Sequence, residues 1–472
     1  MRDPSVAKPA ASSSDTEQAL FEVRKRIHPR AVSGWFAGWR WALVWATQLV
    51  FYGLPWLTWG DRPLVLFALE DRRFFIFGLV FYPQDFIYLT GLLIVSALSL
   101  FLFTAVAGRL WCGYACPQTV YIEIFMWIER AIEGDRNARI KLDRSPWNTQ
   151  KILKRGSRHL AWIVVALWTG ISFVGYFTPI RTLLNEIATL SLGPWELFWV
   201  LFYSFATWGN AGFMREQVCK YMCPYARFQS AMFDRDTLII TYDSARGEPR
   251  GSRPRHVDPK TQALGSCIDC GICVEVCPTG IDIREGLQYE CIGCAACIDG
   301  CNQVMDRMNY PRGLIRYTTT RALESGLDRA AIWKRVLRPR VLIYTVILTL
   351  ITVSVAITLA LRTPFKADII RDRMLSRIVE DGMIENSFGL QISNSSEAAR
   401  RFRVSVTGVE GIRLAGTTEF EVGGAAVRRV PLSVRLEPGL GHPGSNPIRF
   451  EVEAADSPGQ VVVARSTFFV PR

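Results

Sequence analysis

Apolar positions in this chain collect into a few long unbroken runs, and toward the end they give way to short alternating ones. Phe86 to Ala107 is twenty-two residues without a charge, enough to cross a hydrocarbon core that needs about 20 helical residues. Val341 to Leu361 reads the same way. Trp41 to Trp59 and Leu160 to Ile180 are also apolar enough, although Pro55, Gly170 and Gly175 interrupt them. Leu197 to Met214 is the weakest of the five: it is aromatic, carries Asn210, and by pattern alone could equally be a buried helix of a soluble domain. The pattern therefore predicts a polytopic α-helical membrane protein with five transmembrane helices, at about 41–59, 86–107, 160–180, 197–214 and 341–361.

The tail, 362–472, has a different period. Runs such as LQISNSS, RRFRVSVTGV, TEFEV, VRRVPLSVRL, IRFEVEA and VVVARSTFFV alternate apolar and polar residues between Gly, Pro, Asn and Asp. Six or seven short strands at that spacing predict an Ig-like β-sandwich of about 100 residues. It shows no catalytic constellation, and a folded outer domain for stability or partner contact is the plain reading. Residues 1 to about 20 are Ser- and Ala-rich and read as disordered, within a basic N-terminal arm 1–40.

Charge adds orientation. The chain has 472 residues, 55 Lys and Arg against 43 Asp and Glu, and 49% hydrophobic content. A net charge of +12 could mark a nucleic-acid binder, but beside long apolar runs it marks cytoplasmic loops, so no nucleic-acid partner is expected. Seven Lys or Arg lie in the arm to Arg40, ten between Gly108 and His159, and nineteen between Arg215 and Arg340. The other two loops hold three and one. The arm, the loop 108–159 and the segment 215–340 are thus expected on the cytoplasmic side, and the domain 362–472 outside. The first forty residues are polar and basic, and no signal-peptide pattern is expected to release the chain from the membrane.

That orientation gives the cysteines their meaning. Eight of the twelve fall between residues 267 and 301, in a reducing compartment where disulfides are disfavoured. Cys267, Cys270, Cys273 and Cys277 form C-x2-C-x2-C-x3-C followed by Pro278, and Cys291, Cys294, Cys297 and Cys301 repeat the spacing. This is the bacterial two-cluster ferredoxin pattern, in which three cysteines wrap one cubane and the fourth reaches the other. Cys267, Cys270, Cys273 and Cys301 are therefore expected to hold one [4Fe–4S] cluster, and Cys291, Cys294, Cys297 and Cys277 the second. Zinc knuckles use paired C-x2-C at longer separations and have no need of the third cysteine. Two clusters imply one-electron traffic without naming a substrate.

The remaining cysteines sit in GRLWCGYACPQ and REQVCKYMCPY, both C-x3-C-P and both just past a span. Pro117 and Pro224 read as first helical residues, which makes Cys116 and Cys223 N-caps whose thiols would be drawn toward thiolate by the helix end. Cys112 and Cys219 lie four residues earlier. The plain alternative is small hydrophobes packed at a helix junction.

Together with FGLVFYPQDFIYLTGLLI, these motifs make the chain, over about 30–470, resemble the FixG-like (CcoG) accessory proteins of cbb-type cytochrome c oxidase. The resemblance implies a multi-pass protein of the bacterial inner membrane that acts as a cupric reductase, passing electrons through two [4Fe–4S] clusters to Cu²⁺ and yielding Cu⁺ for the oxidase copper site. It implies copper ions, a cytoplasmic or quinol electron donor, copper chaperones and oxidase assembly factors as partners, and allows a homodimer. Cys112, Cys116, Cys219 and Cys223 would be its redox thiolates and copper site, since soft thiolates favour Cu⁺. Two other functions fit the same residues: a quinol-oxidising or electron-relay subunit of another membrane system, and a non-enzymatic assembly scaffold with structural clusters. No dinucleotide fingerprint marks the donor within the chain.

Overall fold

The structure is a computed structural model that describes residues 27–255, 263–371, 376–379, 382–457 and 459–471. The Ser- and Ala-rich stretch 1–20 lies outside them. The chain divides into two units, one of 1–45, 103–164 and 208–336, the other of 46–102, 165–207 and 337–472.

Among the described residues, three helices are long and apolar enough to cross a membrane: Pro83–Ala107, Thr149–Val174 and Pro339–Ala360. The two other expected spans form helices with different bounds. Trp35–Gly53 begins before position 41 and stops where Pro55 enters a 3-10 turn, Leu54–Trp56, because proline has no amide to continue the ladder. Pro194–Thr207 gives way to wide π turns over Trp208–Met214, so the weakest expected span is a fourteen-residue helix with an irregular end. The expected span 160–180 likewise starts earlier, at Thr149, and its basic first turns precede the apolar part.

The first unit holds the described part of the arm, the loop 108–159 and residues 215–336 of the third segment expected to be cytoplasmic. Its ferredoxin core is closed at both ends by one antiparallel strand pair, Ile239–Tyr242 with Ile315–Thr318, so the cysteine-rich segment is a loop-rich insertion on a two-stranded base. Ile283, Ile298, Met305, Leu314 and Ile315 fill the core around it. The carboxylate of Asp299 caps the start of helix Trp35–Gly53, accepting from the Ala37 amide at 2.8 Å.

The second unit contains the Ig-like sandwich. Nine described strands begin at Phe365, earlier and more numerous than the alternation predicted. Labelled β1 to β9 in chain order, these are Phe365–Arg371, Arg377–Ile378, Ile384–Asn394, Arg400–Thr407, Arg413–Ala415, Glu419–Val422, Val427–Leu436, Gly444–Ala454 and Val461–Val470; one sheet runs β5-β7-β3-β1 with β2 beside β3, the other β6-β4-β8-β9. Inward residues meet across the sheets, with Phe388 and Phe450 rings 5.2 Å apart and Phe365 and Phe402 4.9 Å apart. The loop before helix Phe86–Ala107 is itself folded, as a three-stranded sheet of Val65–Ala68, Arg73–Ile76 and Leu79–Phe81. It is tied to the sandwich by Arg62 to Glu397 at 2.6 Å, and by buried Asp85, which pairs with Arg362 and Lys366 at 2.6 Å each.

Candidate redox site

All twelve cysteines are free thiols, and all lie in the first unit. In the ferredoxin segment the backbone turns between cysteines are left-handed at Asp269, Gly271, Gly293 and Ala295, a conformation that folds amides inward around an anion. Two hollows result. One, of 340 Å³, is lined by Cys267, Cys270, Cys273 and Cys301; the other, of 330 Å³, by Cys277, Cys291, Cys294 and Cys297, with Cys273 at its edge. The fourth cysteine of each run lines the hollow of the other.

The residues fit iron–sulfur clusters in their chemistry as well. Burial pushes the Cys273 thiol up to about 11 and the Cys291 and Cys301 thiols up to about 12, and raises Cys294 and Cys297 too. Such groups become thiolates only when a metal supplies compensating charge. Cys270 alone of the eight is exposed, so the first hollow has an edge at the surface. Arginine lies against both hollows: Arg253 reaches the Cys267 carbonyl at 3.5 Å, Arg40 the Cys294 carbonyl at 3.2 Å and Arg109 the Cys291 carbonyl at 3.3 Å. Sequence reading passed over these three, although Arg109 stands inside the motif GRLWCGYACPQ.

The two C-x3-C-P motifs fold alike around their prolines. Cys116 and Cys223 are N-caps in extended backbone, with Pro117 and Pro224 at the first position of helices Pro117–Glu133 and Pro224–Met232. Cys112 sits in a short helix, Leu110–Tyr114, and Cys219 in a π turn, Val218–Met222. The motifs are held together from both sides. Gln118 donates to the carbonyls of Asn210 at 3.0 Å and Arg215 at 3.2 Å, and Arg215 meets the wholly buried Glu129 at 2.8 Å. Arg139 and Arg158 complete the shell around Glu129, at 3.2 and 3.5 Å. Arg109 also donates to the Ala226 carbonyl, bridging the second motif's helix to the ferredoxin loop.

The four thiols converge closely enough that Cys219 feels the charge of Cys112, Cys116 and Cys223. Burial outweighs the helix ends expected to draw protons off: Cys112 is pushed up to about 11, Cys219 to about 12, and Cys116 is raised as well. Burial thus favours the protonated form of Cys112, Cys116 and Cys219. Cys112 donates to Gln229 at 3.3 Å. Among the described residues, no three His, Cys, Asp or Glu side chains gather at the spacing of a single metal ion. His159 packs among Trp162, Trp208 and Phe213, away from any such role.

Contact with the second hollow is direct. Cys112 and Cys219 pack against the apolar cluster of Val276, Ile292, Cys294 and Ala296. Gly113 is the closest point: a Cβ there would stand 2.8 Å from Cys294 N and Cα and from the Gly293 carbonyl carbon, all of them backbone. The second motif has Lys220 in the equivalent place, a side chain where the first motif has none. Gly113→Val is expected to displace that loop and cut iron by about one cluster's worth, roughly four atoms per chain, with the cluster of Cys267, Cys270, Cys273 and Cys301 retained; iron assay and EPR of the purified variant measure both.

A ferredoxin core joined to membrane-spanning helices, with buried cysteine sets lining paired hollows, defines a membrane iron–sulfur oxidoreductase. Family comparison agrees. A 4Fe-4S dicluster domain matches residues 214–320, a 4Fe-4S binding domain matches 89–133, and the IG-like fold at the C-terminal of FixG matches 355–471. Protein RdxB and Protein RdxA of Cereibacter sphaeroides are 41% and 40% identical, each over 84% of this chain and 85% of their own length. Nitrogen fixation protein FixG of Rhizobium meliloti is 37% identical over 84% of this chain and 82% of its own. The chain belongs to the FixG family. A crystal structure of a FixG-related protein from Vibrio parahaemolyticus aligns with 23% of this chain and 97% of its own, at 20% identity and a TM-score of 0.21.

Proposed function

We propose that this protein is an inner-membrane cupric reductase, carrying electrons through its ferredoxin clusters to Cys112, Cys116, Cys219 and Cys223 and from there to Cu²⁺, in support of copper-site assembly in cbb-type cytochrome c oxidase. The observation that carries the reading is the convergence of these four thiols, two of which, Cys112 and Cys219, pack directly against the loop of Cys294. Bound clusters would supply one-electron storage and transfer. Each Cu²⁺ takes one electron and leaves as Cu⁺, the electron coming from a cytoplasmic reductant or a quinol.

Copper as the acceptor is supported by the surroundings. A hollow of 520 Å³, partly open, is lined by Glu123, Glu216, Met126, Cys219, Thr279 and Cys294. Carboxylates suit the harder Cu²⁺, and the Met126 thioether suits Cu⁺, so both oxidation states find donors in one chamber. The exposed Cys270 marks where a soluble donor could approach. The grouping of all three basic segments in one unit, and of the folded loop before Phe86 with the sandwich in the other, supports five spans with the ferredoxin segment cytoplasmic and the sandwich periplasmic. Copper chaperones and oxidase assembly factors would then be the partners that bring and remove the metal.

The test uses purified protein with chemically reduced clusters. Added Cu²⁺ should bleach the reduced clusters while a Cu⁺ chelator reports one Cu⁺ per electron lost. Reoxidation by quinone but not by Cu²⁺ would assign the protein to an electron-relay role, and clusters inert to both would leave a scaffold.

A further inference from the structure

We propose that Cys112, Cys116, Cys219 and Cys223 together bind a third [4Fe–4S] cluster, assembled across the two C-x3-C-P motifs and standing next to the cluster of Cys277, Cys291, Cys294 and Cys297. The inference rests on the electron-transfer reading above and is independent of copper as the acceptor.

Ligand arithmetic is the first argument. Eight of the twelve cysteines line the two ferredoxin hollows as two sets of four. The other four form one further set, two from each motif. The 4Fe-4S binding match over 89–133 contains only Cys112 and Cys116, half of what a cubane needs. Cys219 and Cys223 supply the other half, and Gln118 and Arg215 hold the two motifs in register.

Spacing is the second. A single tetrahedral ion about 2.3 Å from each sulfur draws its ligands to within about 3.8 Å of one another. Among the described residues no three or more His, Cys, Asp or Glu side chains are placed to hold one metal ion, the ferredoxin cysteines and these four included. Four thiols that come together without forming a single-ion site suit a cluster, whose irons stand between its ligands and keep them apart.

Charge is the third. Four thiolates around a [4Fe–4S]²⁺ core leave a net charge of about −2 to be offset in a buried place. Two helices begin at Pro117 and Pro224, each directly after one of the four cysteines, so the positive helix ends adjoin the site. Arg109 lies beside it, with its guanidinium turned to the carbonyls of Tyr289, Cys291 and Ala226, within the field of Cys112, Cys219 and Cys291. Gly113 brings the motif against Cys294 backbone to backbone, which makes the new cluster the next stop beyond the second.

Iron and acid-labile sulfide of the full-length protein, purified anaerobically and reconstituted, decide the matter without any variant: about twelve of each per chain are expected, against about eight for a two-cluster protein. Cys116→Ala with Cys223→Ala should return the count to about eight with the EPR signals of the ferredoxin pair unchanged. Eight irons in the parent, or a double variant that keeps the parent's count, overturns the proposal. Twelve irons with no Cu²⁺ reduction would leave the third cluster standing and remove the copper reading; eight irons with rapid Cu²⁺ reduction would do the reverse.

Discussion

Cys277→Ser is expected to remove the cluster whose other ligands lie fourteen or more residues downstream, and to spare the one bound by its immediate neighbours. Iron should fall by roughly four atoms per chain, and the EPR signal that survives should belong to Cys267, Cys270, Cys273 and Cys301. The reason is geometric. Pro278 and the turn at Thr279 carry Cys277 out of its own run and into the hollow lined by Cys291, Cys294 and Cys297. There the Thr279 hydroxyl lies 3.3 Å from its sulfur. Serine offers a harder, more basic oxygen in place of a soft thiolate, so ligation weakens where the cysteine pointed. Selective loss of the signal from the Cys267, Cys270 and Cys273 set would reverse the assignment and the hollows would have been misread.

How much of this was legible beforehand follows from what each feature depends on. Ferredoxin ligation is a matter of local spacing, so C-x2-C-x2-C-x3-C was enough to expect Cys277 and Cys301 each to serve the other run, and each lines the other run's hollow. The N-cap role of Cys116 and Cys223 was equally local, set by Pro117 and Pro224. Burial was not. The helix ends alone predicted easily ionised thiols, whereas desolvation raises Cys112, Cys116 and Cys219, and desolvation depends on the distant residues that close over them. Arg40, Arg109 and Arg253 were missed for the same reason: a basic residue in a basic chain looks like a solvated charge until its partners, here carbonyls of Cys294, Cys291 and Cys267, are in view. The small sheet at 65–81 escaped because its strands are three or four residues long, too short for alternation to register.

Serine at both caps, Cys116→Ser with Cys223→Ser, should separate chemistry from packing at the paired motifs. Serine is a preferred N-cap, so helices Pro117–Glu133 and Pro224–Met232 keep their starts and expression should match the parent. The ferredoxin set, which takes no ligand from these positions, should keep its iron and its EPR signals. Cu²⁺ reduction is expected to fall by about 100-fold or more, since losing two donors of a metal site exceeds the 10- to 100-fold cost of disturbing its outer partners. Measuring Cu⁺ formation under a chelator, with dithionite-reduced protein at matched ferredoxin iron content, isolates that step from electron loading. A packing role for the cysteines forecasts the opposite: a lowered melting temperature from altered burial and an unchanged rate per folded molecule. A double variant that reduces copper like the parent would place the exit of the electrons elsewhere along the loop of Cys294 and leave the four thiols as part of the junction between two helices.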